Sequence, residues 1–393
     1  MESQENEENY DDFLEASVLN EMLQIIDQIE INCKDKEGQD LINERIKQYS
    51  YAKILCTIFD KDITILIKSI INLAMAYLKI DYYNQAQEHL LDALKLYENN
   101  NDVTENNKEM QENKIKLLIN LSKCYLFNNK LETALNICKK SLNLNLSLFN
   151  EDHISNADIY YIISKINTRL HNYDESINNL NLIEKLYTNH FGINSEKYAK
   201  LLMEKGQVFE INNKLNEAID SYQNAYLIYK NKIENFNKYE IIIQTGIKLS
   251  ELYNKINKAK EGYDILNEID EKYNDKFNSI KDKVVFLRCK IKCCYNMNDY
   301  RLLLKENLNL EKILEGTNEN QKTLAKTCIS IGYIYLDGGK KDKCLEYLNK
   351  ALKIFRVNGD EKLEKEITDK INNIMISEEN KDEDYYVNED IIK

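Results

Sequence analysis

The chain has 393 residues, 43% of them apolar, with no proline, no tryptophan and 10 glycines, a balance that points to nearly continuous helix. Its 53 Lys and Arg against 66 Asp and Glu leave a net charge of −13, which argues against general nucleic-acid affinity because like charge repels phosphate. No apolar run approaches the roughly 20 residues of a membrane span, and no basic stretch leads into an apolar one as in a secretory signal.

The charge is uneven. Residues 1–15 hold seven acids and no Lys or Arg, and residues 378–393 hold seven acids against two lysines, so these two stretches carry −12 of the −13. They read as acidic, disordered tails around a near-neutral body. Residues 16–61 read as an N-terminal helical pair or degenerate repeat. Leu14, Val18, Met22, Ile25, Ile26 and Ile29 share one helical face, Gly38 interrupts, and 41–59 forms a second helix. The nine cysteines have no framework spacing, which suits a reducing cytosol.

A repeating frame occupies 62–357. With Ala74 as reference, Ile70 and Leu73 precede it, Tyr77 follows at plus three, Ala86 at plus twelve, Leu90 at plus sixteen and Ala93 at plus nineteen. That is a pair of amphipathic helices with small residues where they cross. The frame returns at Ser122, Ser164, Gly206, Ser250, Lys292 and Gly332, in steps of 48, 42, 42, 44, 42 and 40. A polar loop insertion at 99–113 accounts for the long first step. Ala134, Ser176, Ala218, Gly262 and Cys344 match Ala86, while Leu304 stands there in the sixth unit. Turns such as Asn128-Asn129-Lys130 and Asp337-Gly338-Gly339-Lys340 fall at one position of the frame. Residues 358–377 read as a C-terminal capping helix, the atypical unit a stacked array needs at its end.

This pattern resembles the tetratricopeptide repeat, closely at 70–93 and 325–355 and over about seven units in all. The step near 42 is similar to that of kinesin-light-chain repeats, as is the linker Phe149-Asn150-Glu151-Asp152-His153 followed by Ala157. Small ciliary proteins of this repeat class share the layout. The resemblance implies an all-α, right-handed α-solenoid of helix hairpins with helical caps, in which the first helix of each pair lines a concave groove.

Those groove positions carry Lys68 and Asn72, Lys116, Asn120 and Lys123, Lys165 and Arg169, and Lys200, with Lys248 and Lys290 further on. Asn72-Leu73-Ala74 and Asn120-Leu121-Ser122 resemble the Asn-Leu-Ala of kinesin-light-chain repeats, whose Asn contacts a bound peptide backbone. An amide offers a peptide unit both donor and acceptor. The lysines would form a basic lane for an acidic peptide, the chain's own acidic tail included, against the alternative of a merely solvated lysine face.

Nothing points to catalysis. Gly338-Gly339-Lys340-Lys341 lacks the spacing and preceding strand of a phosphate-binding loop. Cys289, Cys293 and Cys294 share a helix without a histidine to complete a metal site, and His89, His153, His171 and His190 form no triad. Tyr77, Tyr125, Tyr253, Tyr295 and Tyr335 recur at one frame position and read as packing. The expectation is a non-catalytic, cofactor-free and metal-free interaction scaffold. It is cytoplasmic, with a cytoskeletal or ciliary setting as the narrower expectation, and binds other proteins through an extended segment. A motor, cargo or ciliary assembly adaptor is the alternative. An RNA-binding helical repeat would need a stronger basic excess.

Overall fold

A computed structural model describes residues 63–100, 107–232, 239–316 and 320–379, with scattered positions between 43 and 54. The expected tails at 1–15 and, beyond 379, at 380–393, and the helical pair at 16–61 lie outside these residues or almost wholly so. Every regular element described is helical. The chain divides into two compact units, Met1–Ile193 and Asn194–Lys393.

Among the described residues the first unit holds three hairpins: α1 (Ile63–Leu78) with α2 (Tyr83–Asn99), α3 (Lys108–Phe127) with α4 (Leu131–Leu148), and α5 (Asn156–Arg169) with α6 (Tyr173–Phe191). The second holds four: α7 (Glu196–Ile211) with α8 (Leu215–Asn231), α9 (Tyr239–Lys255) with α10 (Ala259–Tyr273), α11 (Ile280–Asn296) with α12 (Tyr300–Glu315), and α13 (Gln321–Asp337) with α14 (Lys341–Asn358). A last helix, α15 (Glu361–Glu379), packs on α14 and buries Ile367 and Ile371. Each unit is thus the stacked-hairpin arrangement of an α-solenoid. Because α3 starts at Lys108, the polar insertion expected over 99–113 ends earlier. Asn107 caps the helix, its side-chain oxygen accepting from the backbone N–H groups of Glu109 and Met110.

All seven described hairpin turns use one device. Asp81, Asn129, His171, Asn213, Asn257, Asn298 and Gly339 adopt φ between 56° and 71°. The next residue donates its N–H five positions back, as from Lys130 to Tyr125 O at 2.8 Å and from Asp299 to Cys294 O at 3.1 Å. This closes each first helix with a left-handed cap, which Asn, Asp and Gly accept at least cost.

The turn also corrects the sixth unit. Asn298 lies seven residues after Ile291, as Asn129 does after Ser122, so the reference is Ile291 rather than Lys292. The plus-twelve residue is then Leu303, which is buried, rather than Leu304. The plus-three place falls to buried Cys294, and Tyr295, expected to pack, is instead 68% exposed.

Small plus-twelve residues let the helices cross closely. Ala86, Ala134, Ser176, Ala218 and Cys344 are fully buried. In the first unit Ile67, Ile70 and Ala74 pack on Leu90, Ala93 and Tyr97, then on Leu117 and Leu121 of the following hairpin. Each hairpin covers the apolar face of the next, which removes that area from water. The linker at 149–155 is ordered by its own contacts. Phe149 stacks on His153 at 4.2 Å between centroids, and buried Asn145 donates to Asn156 Oδ1 at 2.7 Å.

Candidate functional site

In the first unit α1 packs against α3 and α3 against α5, while each second helix touches mainly its own partner and the following first helix. Closer approach of the first helices puts them on the inner side of the stack. Charge is sorted the same way. Helices α1, α3 and α5 carry seven Lys or Arg against three Asp or Glu, whereas α2, α4 and α6 carry four against seven.

The expected residues fall on this face unequally. Lys116 is exposed, and Lys68, Lys123 and Lys165 are half-buried. Lys123 donates to Asn120 Oδ1 at 3.3 Å, and Lys165 lies 5.3 Å from the Tyr161 ring centroid. Arg169 is exposed yet anchored. Its Nη1 donates to Leu126 O at 2.8 Å, and its guanidinium sits 5.7 Å from the Phe127 centroid, tying α5 to the end of α3. Asn120 is buried, and the amide nitrogen of Asn72 is enclosed without a hydrogen-bond partner among the described residues. Both amides therefore sit deeper than a surface ladder for a peptide backbone would place them.

In the second unit the lysine lane is neutralised. Lys200 pairs with Glu196 at 2.8 Å, and Lys248 pairs with Glu251 at 3.5 Å and Glu210 at 3.8 Å. Lys290 is not a groove residue at all. It is 1% exposed and pairs with Asp270 at 2.8 Å and Glu306 at 3.1 Å. The one-residue shift of the frame turned it inward. Glu306 also accepts from Tyr263 Oη at 3.0 Å, and Lys283 adds a second bond to Asp270.

Two hollows escaped the sequence. One, of about 430 Å³, has an apolar floor that includes Met203, Ile243 and Phe277. On its rim Glu240 is already occupied by Gln244 and Asn278. The other, of about 720 Å³, lies between α11, α12 and α13, with Arg288, Lys292, Tyr295 and Lys326 on its walls. The spacing of Arg288, Lys292 and Tyr295 along one helical face was the available signal.

No described group of three His, Cys, Asp or Glu could hold a metal ion, and no described helix is long and apolar enough to cross a membrane. Cys289, Cys293 and Cys294 do not converge on further ligands, and Cys293 accepts from Asn254 Nδ2 at 3.1 Å. Gly338 and Gly339 form the ordinary turn after α13.

The tetratricopeptide-repeat family model matches residues 67–100 and 325–358. No curated protein matches the chain. Among solved structures, BtubC (BKLC) from P. vanneervenii is 13% identical with a TM-score of 0.48, covering 65% of this chain and 94% of that one. A kinesin-light-chain-type protein of nearly identical TPR-like repeats from Podosopora anserina is 10% identical with a TM-score of 0.45, covering 51% and 95%. A Rap protein complexed with Competence and Sporulation Factor is 12% identical with a TM-score of 0.44, covering 88% and 99%. One hairpin in each unit thus matches the tetratricopeptide-repeat model, and the same left-handed turn that closes those two closes all seven described hairpins.

Proposed function

We propose that the chain is a non-catalytic protein-interaction scaffold that holds an extended, acidic segment of a partner protein along the first-helix face of its first unit. The carrying observation is the sorting of charge there, basic on α1, α3 and α5 and acidic on α2, α4 and α6. A continuous helical face with a one-signed potential attracts an opposite, extended ligand and sets its direction of approach. Lys116, Lys123 and Lys165 supply the charge, and Arg169, held by Leu126 O, supplies a fixed cation at the edge. Among neighbouring folds, the Rap protein was solved with a bound factor. An adaptor role in motor, cargo or ciliary assembly is the narrower form of this reading.

The test is affinity purification with cross-linking from the source cell, comparing wild type with Lys116→Glu plus Lys165→Glu. Partner peptides cross-linked to α1, α3 or α5 are expected, lost in the variant, with retention in the wild type falling as salt rises. Retention unchanged by the double substitution would sink the lane.

A further inference from the structure

We propose that the groove between α11, α12 and α13 is a docking site for the chain's own acidic segment, residues 380–393. This inference concerns the second unit and stands independently of the first-unit lane.

The groove encloses about 720 Å³. Arg288 and Lys292 stand one turn apart on α11, and Lys326 faces them from α13; all three are exposed. Among the described residues none of the three has an acidic partner, whereas Lys200 and Lys248 on α7 and α9 do. Asp337 is the one carboxylate in the lining. Beside the cations, Tyr295 is 68% exposed and Tyr300 is 38% exposed. Such a wall suits a ligand that alternates carboxylates with flat rings.

Residues 380–393 read NKDEDYYVNEDIIK. Asp382, Glu383 and Asp384 supply three carboxylates for three cations, and Tyr385 and Tyr386 follow directly to stack on Tyr295 and Tyr300. The segment is also within reach. Lys370 Nζ, on α15, lies 5.6 Å from the centroid of Tyr333, which lines the groove. Helix α15 ends nine residues later, about 14 Å along its axis. Fourteen extended residues span up to about 46 Å. A docked segment would close this groove to any other acidic chain.

The experiment uses the full chain, as an equal mixture of unlabelled and ¹⁵N-labelled copies, treated with a zero-length carbodiimide and mapped by mass spectrometry. Links from Asp382, Glu383 or Asp384 to Lys292 or Lys326 are expected, within one copy. Arg288→Glu with Tyr295→Ala, both at exposed positions, should reduce their yield several-fold with helix content unchanged. Adding Asp384→Lys to Arg288→Glu should restore it. Links spread evenly over exposed lysines, links insensitive to Arg288→Glu, or links mainly between differently labelled copies would each overturn the proposal, the last by assigning the groove to a second copy.

Discussion

Lys290 Nζ lies 3.1 Å from Glu306 Oε1, and neither residue is more than 1% exposed. The pair joins α11 to α12 where other hairpins join through small residues. Ile291 and Leu303 are bulkier than the usual contact, and the space beside them is filled by a satisfied ionic network. Tyr263, Asn267 and Asp270 of α10 complete it.

Removing one partner strands a buried charge. Lys290→Met should therefore lower stability by about 3–5 kcal/mol. Lys290→Met with Glu306→Leu should recover most of that loss, because two apolar groups replace two charges. Urea midpoints of the four proteins of this cycle would show it; additive losses would mean that the network is not coupled.

Asp270 gives the network a pH dependence. Burial alone would push its carboxyl up, but hydrogen bonds from Lys283 and Lys290 outweigh that and hold it below its ordinary value of 3.8. A depressed carboxyl contributes stability that is present above the ordinary value and lost as pH falls through the folded one. Asp270→Asn should cost about 2 kcal/mol at pH 7. Its stability should then change less steeply than that of wild type as pH drops below 4, measured by thermal unfolding across pH 2–7.

The sixth hairpin also shows where the sequence stops being legible. Six of the seven units place a small residue at the reference, so the frame could be read from composition and spacing there. In the sixth, Ile291 replaces the small residue, and a reader looking for the next plausible turn lands on Lys292. That single step turns Lys290 outward and Tyr295 inward, the reverse of the structure. Only the left-handed turn at Asn298 fixes the register, and an Asn in a chain so rich in Asn carries little weight on its own. The place of Lys116 and Lys165 on the first helices of their hairpins was readable from periodicity, and the structure has one exposed and the other half-buried there. The burial of Asn120 was not readable, because it depends on how closely α3 is packed by its neighbours.

Gly262 stands at plus twelve, where five of the other hairpins carry Ala, Ser or Cys. A Cβ there would come 3.0 Å from Ser250 Cα and 3.2 Å from Ser250 O. Backbone atoms cannot rotate aside, so Gly262→Ala should force α9 and α10 apart at a cost of about 1–3 kcal/mol. A thermal midpoint at or above that of wild type would show that the helices yield freely.

His171 holds the same left-handed turn as Asn129 and Asn213, with φ of 62°. A β-branched residue is strained there, so His171→Val should cost about 1–2 kcal/mol. His171→Asn should be neutral or stabilising, even though it gives up the exposed contact between His171 Nδ1 and Tyr173 Oη. Paired thermal melts of the two variants separate backbone strain from loss of the side-chain contact, since both lack the imidazole.

The cysteines should behave as core residues rather than as a redox or metal centre. Burial pushes the thiols of Cys124, Cys294 and Cys328 up to about 12, and those of Cys138 and Cys289 up to about 11. The thiolate is the reactive species, so at pH 8 only a fraction of about 10⁻³ or less of these groups is competent to attack an alkylating reagent. Burial also blocks approach at all but Cys289, which is half-buried. Alkylation mapped by mass spectrometry should therefore be slow in the folded chain at Cys124, Cys138, Cys294 and Cys328, and complete once urea unfolds it. Cys289 should react first among the five, because access and not acidity separates it from Cys138. Rapid labelling of Cys294 in the folded chain would mean that α11 opens locally, and the ionic network around Lys290, which shares that helix, would then have to be weaker than its geometry implies.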